Sequence, residues 1–164
     1  MKKTVSWILV GVWMSFIFVL SNMNSTASGS KSQNIVKKTV DVTTTVGSNV
    51  GVVKKPSEEK IEKISTDLNP IFRKFSHAFV YLILAILVAN ALNVSKVKKV
   101  FIFTILICIL YAASDEIHQL YIPGRSGEVR DVMIDTFGAL IGYSFYKLMF
   151  ILFNKKRKYA KIEI

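Results

Sequence analysis

Four blocks of apolar residues divide the chain. The first, Val5 to Leu20, reads VSWILVGVWMSFIFVL, and no charge follows it until Lys31. A helix needs about 20 residues to cross a bilayer, and Thr4 to Met23 supplies them. The second block, Ile71 to Leu92, opens on Arg73, Lys74 and His77 and becomes FVYLILAILVANAL. The third, Val100 to Leu120, begins VFIFTILICILYAAS and turns polar at Asp115, Glu116, His118 and Gln119. The fourth, Asp131 to Phe153, begins with acids and continues FGALIGYSFYKLMFILF. The pattern predicts an all-α, polytopic membrane protein: a transmembrane helix over 1–23, further transmembrane helices over 71–92, 100–120 and 131–153, and a basic tail over 154–164. Lys2 and Lys3 before the first block also fit a cleaved signal peptide, with Ser25 to Gly29 as a cleavage region. That block is longer than the roughly 7–15 apolar residues of a signal sequence, which favours a retained helix.

Residues 24–70 have a different character. VKKTVDVTTTVGSNVGVVKK and SEEKIEKISTDLN offer few large apolar groups to offset the entropy of ordering. The reading is a long, mostly irregular extracytoplasmic loop. A strand or hairpin around Val40 to Val46 and a short amphipathic helix over Ser57 to Ile64 are its local alternatives.

Charge fixes an orientation. The net charge of +11 on a chain that is 51% hydrophobic reflects lysines gathered at the edges of apolar blocks. That arrangement fits membrane topology rather than a nucleic-acid-binding face. Lys2 and Lys3, then Lys96, Lys98 and Lys99, then the tail from Lys155 to Lys161 all fall on one side. The opposite short loop, residues 121–130, has only Arg125 and Arg130, offset by Glu128. Both termini are therefore expected in the cytoplasm of a multi-pass cell-membrane protein, with 24–70 and 121–130 outside.

This topology carries Arg73 and His77, then Asp115, Glu116, His118 and Gln119, then Asp131 and Asp135, to one outer end of the bundle. Ionisable groups inside a span are costly unless they pair or face water, so such a group is a candidate site. At about 100° per residue, Arg73, His77 and Tyr81 share a face. Tyr111, Asp115, His118 and Gln119 form a stripe with Glu116 turned away from it. Asp131, Asp135, Gly138 and Gly142 line up on the fourth helix, where Gly-x-x-x-Gly permits close helix contact. Each piece also has a plain structural role, such as His118 or Asp131 answering a helix dipole and Pro123-Gly124 making a turn. Cys108 is the single cysteine, which leaves no intrachain disulfide and points to a buried thiol.

The run Tyr111 to Tyr143 resembles the signature of the VanZ-like family of bacterial membrane proteins. The matching pieces are Lys74-Phe75-Ser76-His77, Asp115-Glu116-Ile117-His118-Gln119, Pro123-Gly124-Arg125, Asp131-Val132 and Gly138-Ala139-Leu140-Ile141-Gly142. Asp135 stands where the family often has Asn, and Asn22-Met23 replaces its usual Ser-Gln. The resemblance implies action at the cell envelope, with teicoplanin resistance as the function of the name-giving member. It brings Glu116 and Arg125 into the candidate set.

Two function classes follow. In the first, Arg73, Arg125 and Arg130 hold an anionic lipid or cell-wall precursor, with His77, Asp115, Glu116, Gln119, Asp131 and Asp135 completing the site, and no enzyme chemistry is required. In the second, the chain is a membrane-embedded enzyme on a lipid-linked substrate. Asp115 or Glu116 is then the base, His77 or His118 assists, and Arg125 stabilises negative charge. No cofactor and no metal is expected, since no sharp metal motif is present; His77, His118 and Asp131 are the one set with suitable ligand chemistry.

Overall fold

The computed structural model describes residues 2–22, 25–51, 56–122 and 127–159. Five helices make up its regular structure: α1 (Lys3–Ser21), α2 (Ser25–Asn49), α3 (Glu58–Val94), α4 (Val100–Gln119) and α5 (Val129–Tyr159). Of these, α1, α3, α4 and α5 are long and apolar enough to cross a membrane. They correspond to the four apolar blocks.

Large apolar side chains on the outside of the bundle, among them Ile8, Val19, Phe79, Leu110 and Phe137, are exposed. In a bilayer that surface is covered by lipid tails, so burial is not what joins these helices. Close packing and interhelical hydrogen bonds must do it instead. The closest seam is between α3 and α5, which run parallel. A Cβ built on Gly138 would land on the Ala78 carbonyl, and one on Gly142 on the Leu82 carbonyl. Only glycine lets the two backbones approach this far.

Hydrogen bonds anchor α1. Trp13 donates its indole N–H to the Val80 carbonyl at 2.9 Å, and Tyr111 of α4 donates its hydroxyl to the Met14 carbonyl. Near the other end, Trp7 donates to Ser95 Oγ at 3.1 Å. Between these contacts lies a core of Val10, Ile17, Tyr81, Leu84, Ala85, Val88, Cys108, Ala112 and Ala139. The Cys108 thiol is buried, in keeping with the sequence.

The segment after α1 corrects one expectation. Residues 25–49, read as mostly irregular with a strand option at Val40 to Val46, form helix α2. The Thr39, Thr43 and Thr44 hydroxyls donate to the carbonyls of Ile35, Thr39 and Val40, one turn back. Side chains that would otherwise compete for the backbone thus close on the helix itself. Val36 and Val40 pack against Ile61 and Ile64, Lys37 pairs with Glu62 at 3.8 Å, and Gln33 donates to Thr66. The helix expected over Ser57 to Ile64 is the start of α3, which continues through Pro70 into its apolar part.

Candidate functional site

At the end of the bundle where α4 finishes and α5 begins, apolar packing gives way to acids. Asp115, Glu116, Gln119 and Asp135 are all buried, Asp135 with 0% exposure. Asp115 and Glu116 are adjacent in α4, yet both face inward. Helical spacing had turned Glu116 away from the Asp115 stripe. Its burial comes from a tertiary contact: Glu116 Oε2 accepts the backbone N–H of Glu128 at 2.9 Å, just before α5. A carboxylate there satisfies an orphan donor and meets the positive end of the helix dipole. Gln119 Nε2 donates to Glu116 Oε1 at 3.1 Å and to Asp115 Oδ2 at 3.4 Å, bracing the two acids. Gly127 itself lies against α4, since a Cβ there would stand 2.6 Å from the Glu116 carbonyl oxygen.

Helix α3 supplies the basic partners. Lys74 Nζ lies 3.5 Å from Asp131 Oδ1, both half-exposed at the mouth of the site. One turn deeper, His77 Nδ1 lies 4.0 Å from Asp135 Oδ2. Among the described residues, neither Asp135 oxygen has a hydrogen-bond partner, nor does the buried Tyr81 hydroxyl. Asp135 lies within electrostatic reach of Glu116, Asp115 and Asp131, and Tyr81 within reach of Asp115 and Asp135. Four carboxyl groups and a phenol therefore share one end of the bundle with Lys74 and His77.

The structure brings together six of the expected residues: His77, Asp115, Glu116, Gln119, Asp131 and Asp135. Among the described residues the cation that meets Asp131 is Lys74, the neighbour of Arg73. His118 leaves the α4 stripe for α1, where its ring packs on Phe18 with centroids 4.7 Å apart. Among the described residues, no three His, Cys, Asp or Glu side chains stand close enough to share a metal ion. Arg125, with Pro123 and Gly124, lies outside the described residues. Sequence reasoning had not placed Lys74 or Tyr81 in the site, although Tyr81 sits one turn from His77 on the face already marked.

Four helices long and apolar enough to cross a membrane, a glycine-tight seam and a buried acid group at one end define a multi-pass helical membrane protein. The chain matches the VanZ/LLP1 family over residues 6–152, nearly its whole length, and belongs to that family. No curated protein and no solved structure matches it.

Proposed function

We propose that this VanZ-like protein works in the bacterial cell envelope, with both termini cytoplasmic and the acid-lined end outside. There it binds the headgroup of an anionic lipid or lipid-linked wall precursor and lowers susceptibility to glycopeptides such as teicoplanin. The burial of Asp115, Glu116 and Asp135 in one group marks this end as a site, and the cations at its rim carry the reading that the ligand is an anion. Charged or polar groups at this depth are expensive and are retained for function. Lys74 at the mouth, half-buried Arg73 and exposed Arg130 offer cations at the rim, where a phosphate or carboxylate would be met first. An apolar hollow of about 480 Å³ between α3 and α5, lined by Phe75, Phe79, Phe137 and Ile141, lies beside that rim. It suits the acyl part of the same molecule.

The test is expression in a glycopeptide-sensitive Gram-positive host. Wild type is expected to raise the teicoplanin concentration needed for inhibition, and Asp135→Asn to remove the gain at equal membrane abundance. No change with wild type sinks the resistance reading. Orientation is tested separately in a Cys108→Ala background. Tyr121→Cys, at an 81% exposed position, should label from outside with an impermeant thiol reagent, and Lys96→Cys should not.

A second reading, an enzyme acting on a lipid-linked substrate, draws on one further observation. Asp135 and Tyr81 keep unmet hydrogen-bond capacity beside His77. On this reading a carboxyl of the group serves as base and His77 assists. Intact resistance in Asp115→Asn, Glu116→Gln and His77→Ala proteins would rule it out.

A further inference from the structure

The end of the bundle opposite the acids carries a second hollow, of about 490 Å³. Its wall comes from the last turns of α3, the connection to α4 and the middle of α5: Asn93, Lys98, Lys99, Tyr143, Tyr146 and Lys147. All three lysines have exposed side chains. No Asp or Glu occurs between Asp67 and Asp115, or between Asp135 and Asn154. The stretches of helix around the hollow therefore supply no counter-charge. Aromatic rings run down one side, from Phe101 to Tyr143 at 4.9 Å, Tyr143 to Tyr146 at 6.4 Å and Tyr146 to Phe150 at 6.1 Å between centroids. The buried Tyr146 hydroxyl sits beside Asn93.

We propose that this hollow is a binding site for an anionic phospholipid, separate from the acid group at the far end. Three ammonium groups around a concavity supply point charges and hydrogen-bond donors to a phosphate. Basic pockets between membrane helices hold anionic headgroups in this way. Tyrosines at the interface present a flat apolar body with a polar tip, and here Tyr143 and Tyr146 line the hollow beside the lysines. Lysines that served orientation alone would need charge but no cavity, and could lie anywhere on the rim. Lys98 and Lys99 precede α4 while Lys147 comes from α5, yet all three edge one hollow. A phosphate bound there bridges α5 to the α3–α4 connection. This site stands or falls independently of the function proposed for the acid end.

The full chain is placed in nanodiscs of nine parts phosphatidylcholine to one part phosphatidylglycerol, and retained lipid is counted by native mass spectrometry. Phosphatidylglycerol should be enriched over phosphatidylcholine on the wild type. Each lysine at an anionic surface is worth about fivefold, so Lys147→Gln should cut the enrichment about fivefold. Combining it with Lys98→Gln and Lys99→Gln should cut it about a hundredfold. The control removes the same charge from the tail, as Lys155→Gln, Lys156→Gln and Lys158→Gln together, and should cost less than fivefold. Lys147→Arg should retain the lipid. Equal losses in the two triple variants, undiminished retention in the pocket triple, or displacement of the lipid by millimolar inorganic phosphate would each overturn the proposal.

Discussion

Replacing Gly138 with alanine adds one methyl group where two backbones already touch. The new Cβ would lie 2.8 Å from the Ala78 carbonyl carbon and 2.9 Å from its Cα, besides overlapping the carbonyl oxygen. Ordinary van der Waals contact begins at about 3.4 Å for such atoms, and neither partner is a side chain that can rotate away. Relief requires α3 and α5 to separate along the seam. Overpacking of this kind costs about 1–3 kcal/mol, and a clash between backbones belongs at the upper end. Alanine returns about 1 kcal/mol through its better helix propensity, leaving a net loss of about 2 kcal/mol. Gly142→Ala should behave alike, since its Cβ would stand 2.8 Å from the Leu82 carbonyl carbon. Gly11→Ala is the control: nothing lies within 4 Å of its Cβ, so only the propensity gain of up to about 1 kcal/mol applies. Unfolding in mixed micelles, titrated with dodecyl sulfate and followed by circular dichroism, should separate the Gly138 and Gly11 variants by about 3 kcal/mol. If the two fall within about 0.5 kcal/mol of each other, the seam does not depend on glycine and the reasoning fails.

Three further substitutions can be read in the same titration. Lys96 sits at φ 60° after α3, where Lys96 N–H donates to Asn93 and Val97 N–H to Leu92, the pattern of a Schellman cap; Lys96→Gly should stabilise by about 1 kcal/mol, and a loss would contradict the left-handed cap. Tyr111→Phe removes the hydroxyl that reaches the Met14 carbonyl and should cost about 0.6 kcal/mol, the usual worth of a hydrogen bond between membrane helices; an unchanged midpoint would mean that α1 is held by packing alone. Glu116→Gln keeps the shape and one acceptor oxygen for the Glu128 N–H but removes charge from the start of α5, so a loss of about 1 kcal/mol is expected, against outright unfolding if the carboxylate were indispensable to the fold.

The four spans were legible because bilayer thickness sets a length that apolar runs either meet or miss. Helix α2 was not. Its threonines and serines read as loop, and what makes them helical is partly internal, the hydroxyls closing on carbonyls one turn back. The rest is a partner, Ile61 and Ile64, that lies across a turn. The site divides in the same way. His77, Asp115 and Asp135 follow from helical spacing. Glu116 does not, because its contact with the Glu128 N–H, twelve residues on, is invisible to a helical wheel. Arg73 and Lys74 are adjacent, and only the docking of α3 on α5 selects the lysine for Asp131. The ring contact of His118 is hidden for a related reason: α1 comes close enough to offer Phe18, and nothing in the α4 sequence announces it.

The register of the parallel pair α3 and α5 connects packing to site. Lys74 meets Asp131, His77 meets Asp135, Ala78 meets Gly138 and Leu82 meets Gly142, in one continuous line. Packing needs the two glycine contacts and gains little from the acids before them. A leucine in place of the fully buried Asp135 would avoid the cost of a polar group that has no hydrogen-bond partner among the described residues. The glycines therefore do more than hold the bundle closed: they set the separation at which Lys74 and His77 face the acids of α5. It follows that widening the seam should disturb the polar group before it unfolds the protein. The Gly138→Ala chain should accordingly lose whatever activity the Asp135→Asn chain loses while it still populates the folded state, a dissociation that a merely structural glycine pair would not produce.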